Sequence, residues 1–258
     1  MKIFDCVKFF HEEELLHLRF LEYANVVDYF VIVEANKTHT GKPKEFLFPK
    51  IKDRFSDYLK KVIYVQVEDL PDYNSDHIWI PENFQRNAIM RGLSNANIGD
   101  KIIVSDCDEF WDIDSMFKNI SSQEWLCFEQ HLYYYWVNCR QNTMWNGTVM
   151  ANYGTFKEIQ DLRNFARFTI PKLIQPGGWH YSFMGGSQRI HDKVKNIAES
   201  KLIIDAVGSI EQIEKRINNT EDLWGRTEDY AQKKIVNIDY CPNSLTKFLE
   251  LYPNFIKY

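Results

Sequence analysis

Residues 102–109 read IIVSDCDE, an apolar β-branched run that ends in three carboxylates. The apolar run predicts a buried strand, because a strand with one exposed face would have polar side chains at alternate positions. In an open α/β sheet, ligands bind beyond the carboxyl ends of the strands. The acids Asp106, Asp108 and Glu109 therefore fall where such a fold places a functional site.

Upstream of this stretch, apolar runs alternate with segments of helical period. The resulting β-α-β-α-β-α-β order is typical of parallel strands wrapped by helices, so we expect an α/β fold with a Rossmann-like, mostly parallel central sheet. The predicted strands are 2–8, 26–34, 62–67 and 101–104, and the predicted helices lie within 12–23, 54–61 and 82–93.

The pattern changes beyond residue 120. An aromatic run at 125–138 is consistent with one or two strands, and the tail from residue 210 is mostly helical in pattern, with a last helix at 245–251. Neither an internal repeat nor a low-complexity linker divides the sequence. We therefore predict a single domain over residues 1–258 with two functional halves.

The composition restricts the classes of function. A net charge of -5 and an isoelectric point near 5.8 argue against a nucleic-acid-binding protein. No apolar run approaches the roughly 18 residues that a membrane-spanning helix needs, so we expect no membrane span. Five scattered cysteines indicate a reducing compartment. Since no signal-peptide pattern is recognisable, we expect a cytoplasmic protein.

An Asp-x-Asp pair at a strand end is able to hold Mn²⁺ or Mg²⁺ through carboxylate oxygens. Its open coordination positions would receive phosphate oxygens, and the cation would neutralise charge on a departing diphosphate. Asp106, Asp108 and Glu109 would also repel one another unless a cation or a basic residue lay between them. The alternative is a solvated turn or a helix cap, where such pairs also occur.

A second unusual segment, PGGWHYSF at residues 176–183, places a Trp and a His directly after paired glycines. The glycines allow a sharp turn or a close approach to a ligand. Trp179 offers a stacking surface, and His180 offers a metal ligand or a hydrogen-bond partner. The competing interpretation of His180 is a structural histidine with satisfied hydrogen bonds.

Basic and polar residues elsewhere are further candidates. Arg86, on the helix before the acidic strand, is placed to offset the carboxylates. Arg189 and Lys193 are candidates for binding phosphate oxygens. Glu34 and Asn36, at the end of the second strand, are candidates for contacting a nucleoside hydroxyl or a base edge. The alternatives are a solvated basic face for the cations and a plain turn for the other two.

Together these landmarks resemble glycosyltransferase family 17, which includes the β-1,4-mannosyl-glycoprotein 4-β-N-acetylglucosaminyltransferases that add bisecting GlcNAc. Their combination spans roughly residues 4–225 and is far more specific than any one motif. It comprises VDYFVIVEANKT at 27–38, Gly41, Pro43, Arg86, SDCDE at 105–109, GWHYS at 178–182, Lys193 and Trp224.

The resemblance implies a GT-A-like fold, a UDP-sugar donor, a divalent metal and inversion at the anomeric carbon. Asp106 and Asp108 then look like the motif that holds the metal and the diphosphate, and His180 looks like a third metal ligand. Residues 1–115 would form the nucleotide-sugar-binding half, and residues 116–258 the acceptor-side half with its helical tail. The donor-side candidates are Glu34, Asn36, Arg86, Asp106, Trp179 and Lys193.

The known eukaryotic members use UDP-GlcNAc, so we expect transfer of GlcNAc. No membrane anchor or stem is recognisable in this sequence, which favours a glycan acceptor other than an N-glycan. Sugar rings pack their C–H faces on aromatic surfaces, and the predicted acceptor platform is therefore aromatic, with strand core as the alternative. Its candidates are Tyr134, Trp136 and Trp145.

Inverting transfer requires a general base that deprotonates the acceptor hydroxyl. Glu109 is the first candidate because it adjoins the metal motif, and Asp108 is the second predicted catalytic residue. Glu129 and Asp192 are further options for the base. An alternative role for Glu109 is to orient Arg86 or water bound to the metal.

Other classes of function stay open. Phosphatases of the haloacid dehalogenase type also place Asp-x-Asp after an apolar strand, but near the N-terminus and commonly with Thr or Val next. Here Glu109 and Phe110 follow a motif that comes late in the chain. A non-catalytic sugar-binding relative would keep the fold without turnover. A glycosyltransferase that uses UDP-Glc, UDP-Gal or a GDP-sugar is a third alternative.

Overall fold

The computed structural model describes residues 1–258, apart from the side chain of Lys201. The strands are β1 (Ile3–Lys8), β2 (Tyr29–Ala35), β3 (Val62–Val67), β4 (Lys101–Asp106), β5 (Glu109–Trp111), β6 (Leu126–Tyr134), β7 (Cys139–Asn152), β8 (Leu173–Ile174), β9 (Gly178–Ser182) and β10 (Lys233–Ile235). The α-helices are α1 (Glu13–Tyr23), α2 (Phe48–Ile51), α3 (Ile80–Asn87), α4 (Ile113–Asn119), α5 (Ile159–Phe168), α6 (Ser187–Asn196), α7 (Ser200–Val207), α8 (Ile210–Asn218) and α9 (Leu245–Leu251).

One sheet runs through the molecule in the order β3-β2-β1-β4-β7-β6-β9-β5, with β8 beside β6 and β10 beside β7. The first four strands of the chain pair in parallel. Their nearly continuous apolar sequences suit a sheet that is covered on both faces. The predicted α/β fold, with a mostly parallel central sheet flanked by helices, is confirmed.

Two predicted helices have a different form. Residues 54–61 contribute to 3-10 turns instead of one helix, and the predicted helix 82–93 is α3 followed by a 3-10 turn at Ala88–Gly92. A Cβ atom on Gly92 would lie 2.5 Å from Val31 Cγ1 on β2. This turn therefore approaches the sheet more closely than a regular helix with side chains would allow.

Strand β7 reverses the direction of the sheet. It runs antiparallel to β4 and β6, and β6 pairs in parallel with β9. The aromatic run predicted at 125–138 forms β6, and GWHYS at 178–182 forms β9. Because β5 lies antiparallel to β9, Glu109 and His180 are partners in register. The two unusual segments of the sequence are thus neighbours in the sheet.

Alternating side chains of the central strands enter two apolar cores, one on each face of the sheet. Phe4 and Val31 lie in one core, and Val7 and Ile32 lie in the other. A third apolar cluster joins helices α6, α7 and α8 to the end of β6. These helices therefore pack against the carboxyl end of β6.

The five cysteines are free thiols, and four of them are buried. Burial raises the pKa of the Cys6 and Cys107 thiols well above the ordinary value, so both stay protonated near neutral pH. Over the described part of the chain, none of the helices combines the length and the apolar character that crossing a bilayer requires.

Candidate active site

A cavity of about 480 Å³ lies beyond the carboxyl ends of β1, β2 and β4. Lys8 at the end of β1 is in register with Asp106 at the end of β4. Helix α6 and the connection from α6 to α7 complete the wall. The cavity thus occupies the position where α/β sheets bind ligands. It brings together seven of the predicted site residues, namely Arg86, Asp106, Asp108, Tyr134, Trp145, His180 and Lys193.

The carboxylate of Asp106 is surrounded by cations from three other elements. Arg163 Nη2 on α5 lies 2.7 Å from it, Lys8 Nζ on β1 lies 3.2 Å from it, and Arg86 Nη2 on α3 lies 3.4 Å from it. Burial alone would raise the pKa of Asp106, but these cations hold it well below the ordinary value. Asp106 is therefore ionised and neutralised by the protein itself.

Asp108 has a separate set of partners. Lys193 Nζ on α6 lies 2.8 Å from Oδ2, and His180 Nε2 on β9 lies 3.4 Å from Oδ1. Burial opposes the charge, yet Lys193 and His180 lower the pKa of Asp108 below its ordinary value. The ring of Trp145 packs on His180 with centroids 4.7 Å apart. The Asp108 carboxylate thus stays charged on the cavity wall.

Glu109 lies behind the acidic turn and outside the lining of the cavity. It is 0% exposed. Its Oε2 accepts a hydrogen bond from the Asp106 amide at 3.0 Å, and its Oε1 accepts one from Trp145 Nε1 at 2.7 Å. Arg163 Nη1 donates to Oε1 at 2.8 Å. The residue that the sequence favours as the base is placed to hold the turn, Trp145 and Arg163 in position.

A buried ion pair between Arg19 and Asp5 contacts the backbone of the acidic turn. The guanidinium of Arg19 on α1 donates to both carboxylate oxygens of Asp5, at 2.5 and 2.8 Å. Its Nη1 also donates to the carbonyl of Glu109 at 2.7 Å and is 3.4 Å from the carbonyl of Cys107. Both residues are fully buried. Arg19 therefore fixes the backbone on both sides of Asp108.

Sequence reasoning missed Arg19 and the two arginines of α5. Arg163 and Arg167 are spaced by four residues and so project from one face of the helix. The Arg167 guanidinium lies 4.1 Å from the centroid of the Trp145 ring, and that of Arg163 lies 5.8 Å from it. The spacing of four residues between Arg163 and Arg167 could have predicted that both lie on one face of a helix. It does not show which strand of the sheet that face contacts.

The predicted nucleoside contacts lie outside the lining of the cavity. Glu34 is 0% exposed, and its carboxylate accepts hydrogen bonds from Lys44 Nζ, from the amides of Leu47 and Phe48, and from the Tyr64 hydroxyl. Glu34 thus organises the loop after β2. Asn36 also stays out of the cavity wall, whereas three nearby side chains reach it, those of Thr38, His39 and Gln85.

Trp179 and Trp136 are not brought to the cavity either. Along β9, successive side chains point to opposite faces, so Trp179 enters the core while His180 faces the cavity. Trp179 is 2% exposed, and its Nε1 donates to the carbonyl of Tyr240 at 3.0 Å. Trp136 contacts the Lys257 ammonium, 4.6 Å from its ring centroid. Tyr134 and Trp145 are the predicted aromatic residues that do line the cavity.

Three further candidates from the sequence lie away from this cavity. Arg189 pairs with Glu14 on α1. Glu129 accepts a hydrogen bond from Gln175, and Asp192 accepts one from Gln188 at 3.1 Å on the exposed face of α6. The cavity lining includes none of the three.

Asp108 and His180 are the two residues of the cavity wall whose contacts suit a divalent cation. Asp108 Oδ1 and His180 Nε2 lie 3.4 Å apart, which suits two ligands that are each roughly 2.0–2.6 Å from one cation. Nδ1 of His180 is buried without a hydrogen-bond partner in the described structure. Asp108 and His180 therefore fit a cation that keeps positions open for water and phosphate.

The predicted set of three metal ligands is not assembled. Asp106 is committed to Lys8, Arg86 and Arg163, so its carboxylate does not join Asp108 and His180. Across the described side chains, no group of three His, Cys, Asp or Glu residues is arranged to hold a metal ion.

Comparison with known proteins defines the class to which this fold and cavity belong. Residues 1–247 match the family model described as Glycosyltransferase family 17. The chain therefore falls in the class of proteins that this family model describes. It belongs to glycosyltransferase family 17, as the resemblance predicted, and the phosphatase alternative has no support.

Curated relatives have N-acetylglucosaminyltransferase names. The chain is 30% identical over 114 residues to the Beta-1,4-mannosyl-glycoprotein 4-beta-N-acetylglucosaminyltransferase of Rattus norvegicus and to that of Homo sapiens. The corresponding protein of Mus musculus is 29% identical over the same length. Each alignment covers 42% of this chain and 21% of the relative. The chain thus spans about a fifth of the length of these relatives.

Proposed function

We propose that the protein is a metal-dependent, inverting glycosyltransferase that transfers GlcNAc from UDP-GlcNAc to a glycan hydroxyl, forming a β-linkage. Family membership supports sugar transfer, and the names of the relatives favour GlcNAc as the transferred sugar. The observation that carries the proposal is the convergence of Asp108 and His180, 3.4 Å apart, on the wall of a cavity rich in Lys and Arg.

On this proposal, Asp108 and His180 hold Mn²⁺ or Mg²⁺ in a GT-A-like arrangement. A divalent cation bound there supplies neutralisation of the negative charge on the leaving diphosphate. Lys193 and Arg86 line the same cavity and are placed to donate charge-assisted hydrogen bonds to phosphate oxygens. Asp106 keeps the surrounding cations in fixed positions.

The two ends of the cavity have different chemistry. Thr38, His39 and Gln85 lie near the end of β2 and offer polar groups for the nucleoside. Tyr134 and Trp145 lie on the β6–β7 side and offer aromatic surface for the acceptor sugar. Donor and acceptor would thus meet near Asp108, between these ends.

A donor screen by thermal shift tests the proposal. We expect UDP-GlcNAc with Mn²⁺ to raise the melting temperature more than the sum of the two ligands added singly, because each completes the other's binding site. UDP-Glc, UDP-Gal and GDP-mannose serve as the competing donors. A larger joint shift with one of these would reassign the donor sugar.

The matched variant is Asp108→Asn, which keeps the size of the side chain and removes its charge. We expect it to lose the joint shift and the release of UDP while retaining a cooperative melt. If no nucleotide sugar changed the melting of the wild type in the presence of Mn²⁺, the proposal would be wrong. Joint binding without any release of UDP would instead indicate a sugar-binding relative without catalytic activity.

A further inference from the structure

Sugar transfer to a hydroxyl needs a group that accepts the hydroxyl proton. Five carboxylate residues line the cavity, and four of them are paired with cations. Glu12 pairs with Lys193, 3.5 Å away. Glu82 pairs with Lys8 and Arg86, each 2.6 Å away. Asp106 and Asp108 have the cationic partners described above, and the fifth residue is Glu199.

Glu199 lies on the connection between α6 and α7, directly before the first residue of α7. It lines the cavity and is partly buried. Among the described side chains, none forms an ion pair with its carboxylate, whereas the other four carboxylates of the cavity each have a cationic partner. Of the five carboxylates that line the cavity, Glu199 is thus the one that no described side chain neutralises in an ion pair.

The histidines of the wall are less suited to this role. His39 Nε2 is 2.8 Å from Gln85 Oε1, and its Nδ1 faces Glu82 at 3.8 Å. His180 is turned towards Asp108. Nε2 of each imidazole thus already faces a polar neighbour, Gln85 for His39 and Asp108 for His180.

We propose that Glu199 is the general base of the transfer reaction, an inference that rests on the proposed function. Its carboxylate takes the proton of the acceptor hydroxyl as the acceptor oxygen forms a bond to the anomeric carbon. The bond from that carbon to the phosphate oxygen breaks, and its electron pair leaves with UDP. Glu199 ends the step as a neutral carboxylic acid and returns its proton to solvent.

The charges around Glu199 suit a base. The pKa of Glu199 is raised above its ordinary value, chiefly because the carboxyl is buried. The negative charges of Glu82 and Asp106 raise this pKa further. The backbone amide of Glu199 and the charge of Lys8 act in the opposite direction but do not cancel the increase. A carboxylate with a raised pKa is a stronger base while it is still ionised near neutral pH.

Glu199→Gln tests the inference with UDP-GlcNAc and Mn²⁺ and with water as the acceptor. We expect the rate of UDP release to fall at least ~100-fold, while the joint thermal shift with UDP-GlcNAc and Mn²⁺ stays unchanged. Sodium azide is then added as the acceptor, because the azide anion attacks the anomeric carbon without losing a proton. We expect the Gln variant to form the β-glycosyl azide about as fast as the wild type does.

Asp205→Asn is the matched control, since Asp205 is an exposed acid on α7 outside the cavity lining. This variant should release UDP at the wild-type rate. If Glu199→Gln released UDP as fast as the wild type, or if azide failed to restore its turnover, the inference would be overturned. A wild type that neither binds nor turns over UDP-GlcNAc would overturn the proposed function, and this inference with it.

Discussion

Asp106 and Asp108 are two positions apart in the chain, but their surroundings give them different tasks. The cations around Asp106 belong to β1, α3 and α5, so its carboxylate ties three elements together. Asp108 is held by Lys193 and His180, and it faces the cavity. Replacing Asp106 should therefore affect the fold, whereas replacing Asp108 should affect the binding of ligands.

Arg163 is the residue whose loss we expect to be most costly to this network. It pairs with Asp106 at 2.7 Å and with the fully buried Glu109 at 2.8 Å. Arg163→Met leaves Glu109 charged and unpaired, so we expect the free energy of unfolding in urea to fall by about 3 kcal/mol. Adding Glu109→Gln to this variant should recover much of the loss, since the buried charge is then removed.

Arg167→Met is the control for this measurement. Arg167 lies one helical turn further along α5 and stacks on Trp145, 4.1 Å from the ring centroid. Losing such a contact at an exposed position costs about 0.5–1 kcal/mol. If the Arg163 and Arg167 variants were equally stable, the buried ion pairs would not stabilise the fold in the way that we describe.

The acidic turn depends on a single helix, because Arg19 of α1 holds the carbonyls on both sides of Asp108. Arg19 makes these contacts from three separate nitrogens, and a lysine, which donates from a single nitrogen, does not reproduce this planar fork. We expect Arg19→Lys to lower the free energy of unfolding by about 2 kcal/mol and also to reduce the joint thermal shift with Mn²⁺ and UDP-GlcNAc.

Glu22→Gln separates these two effects. Glu22 is a buried acid on the same helix, and it accepts hydrogen bonds from the amides of Asn243 and Ser244, near α9. This variant should also be less stable, but its joint shift should equal that of the wild type. An equal reduction of the shift in both variants would mean that Arg19 acts through general stability alone.

The elements that the sequence predicts well are those whose pattern is local. Four apolar runs and the helices between them predict the parallel half of the sheet, because the composition of each run is enough to indicate a buried strand. In β9, the same alternation should have placed Trp179 and His180 on opposite faces, but the paired glycines favoured a turn. The cations that meet Asp106 and the carbonyl clamp of Arg19 depend on packing between distant segments, which no single segment encodes.

The whole molecule is acidic, with a net charge of -5, yet its cavity gathers lysines and arginines around a few carboxylates. Glu12, Glu82, Asp106 and Asp108 all have a pKa that these cations lower, against the effect of burial. A carboxyl whose pKa is lower in the folded state stabilises the fold above its unfolded pKa. This stability is lost as the pH falls through the folded value, so we expect the protein to unfold in acid.

Asp222 offers a clean measurement of this effect, because it lies outside the cavity lining. Burial alone would raise its pKa, but hydrogen bonds from Arg226 and Lys233 lower the pKa of Asp222 to about 2, against an ordinary value of 3.8. Its ionised form therefore stabilises the fold above about pH 4 and loses this effect towards pH 2. Asp222→Asn should be less stable than the wild type at neutral pH. We expect the difference in the free energy of unfolding between the two proteins, measured in urea, to shrink by about 1 kcal/mol between pH 5 and pH 3. A difference that stayed constant over this range would mean that the ion pairs of Asp222 do not lower its pKa in the folded protein.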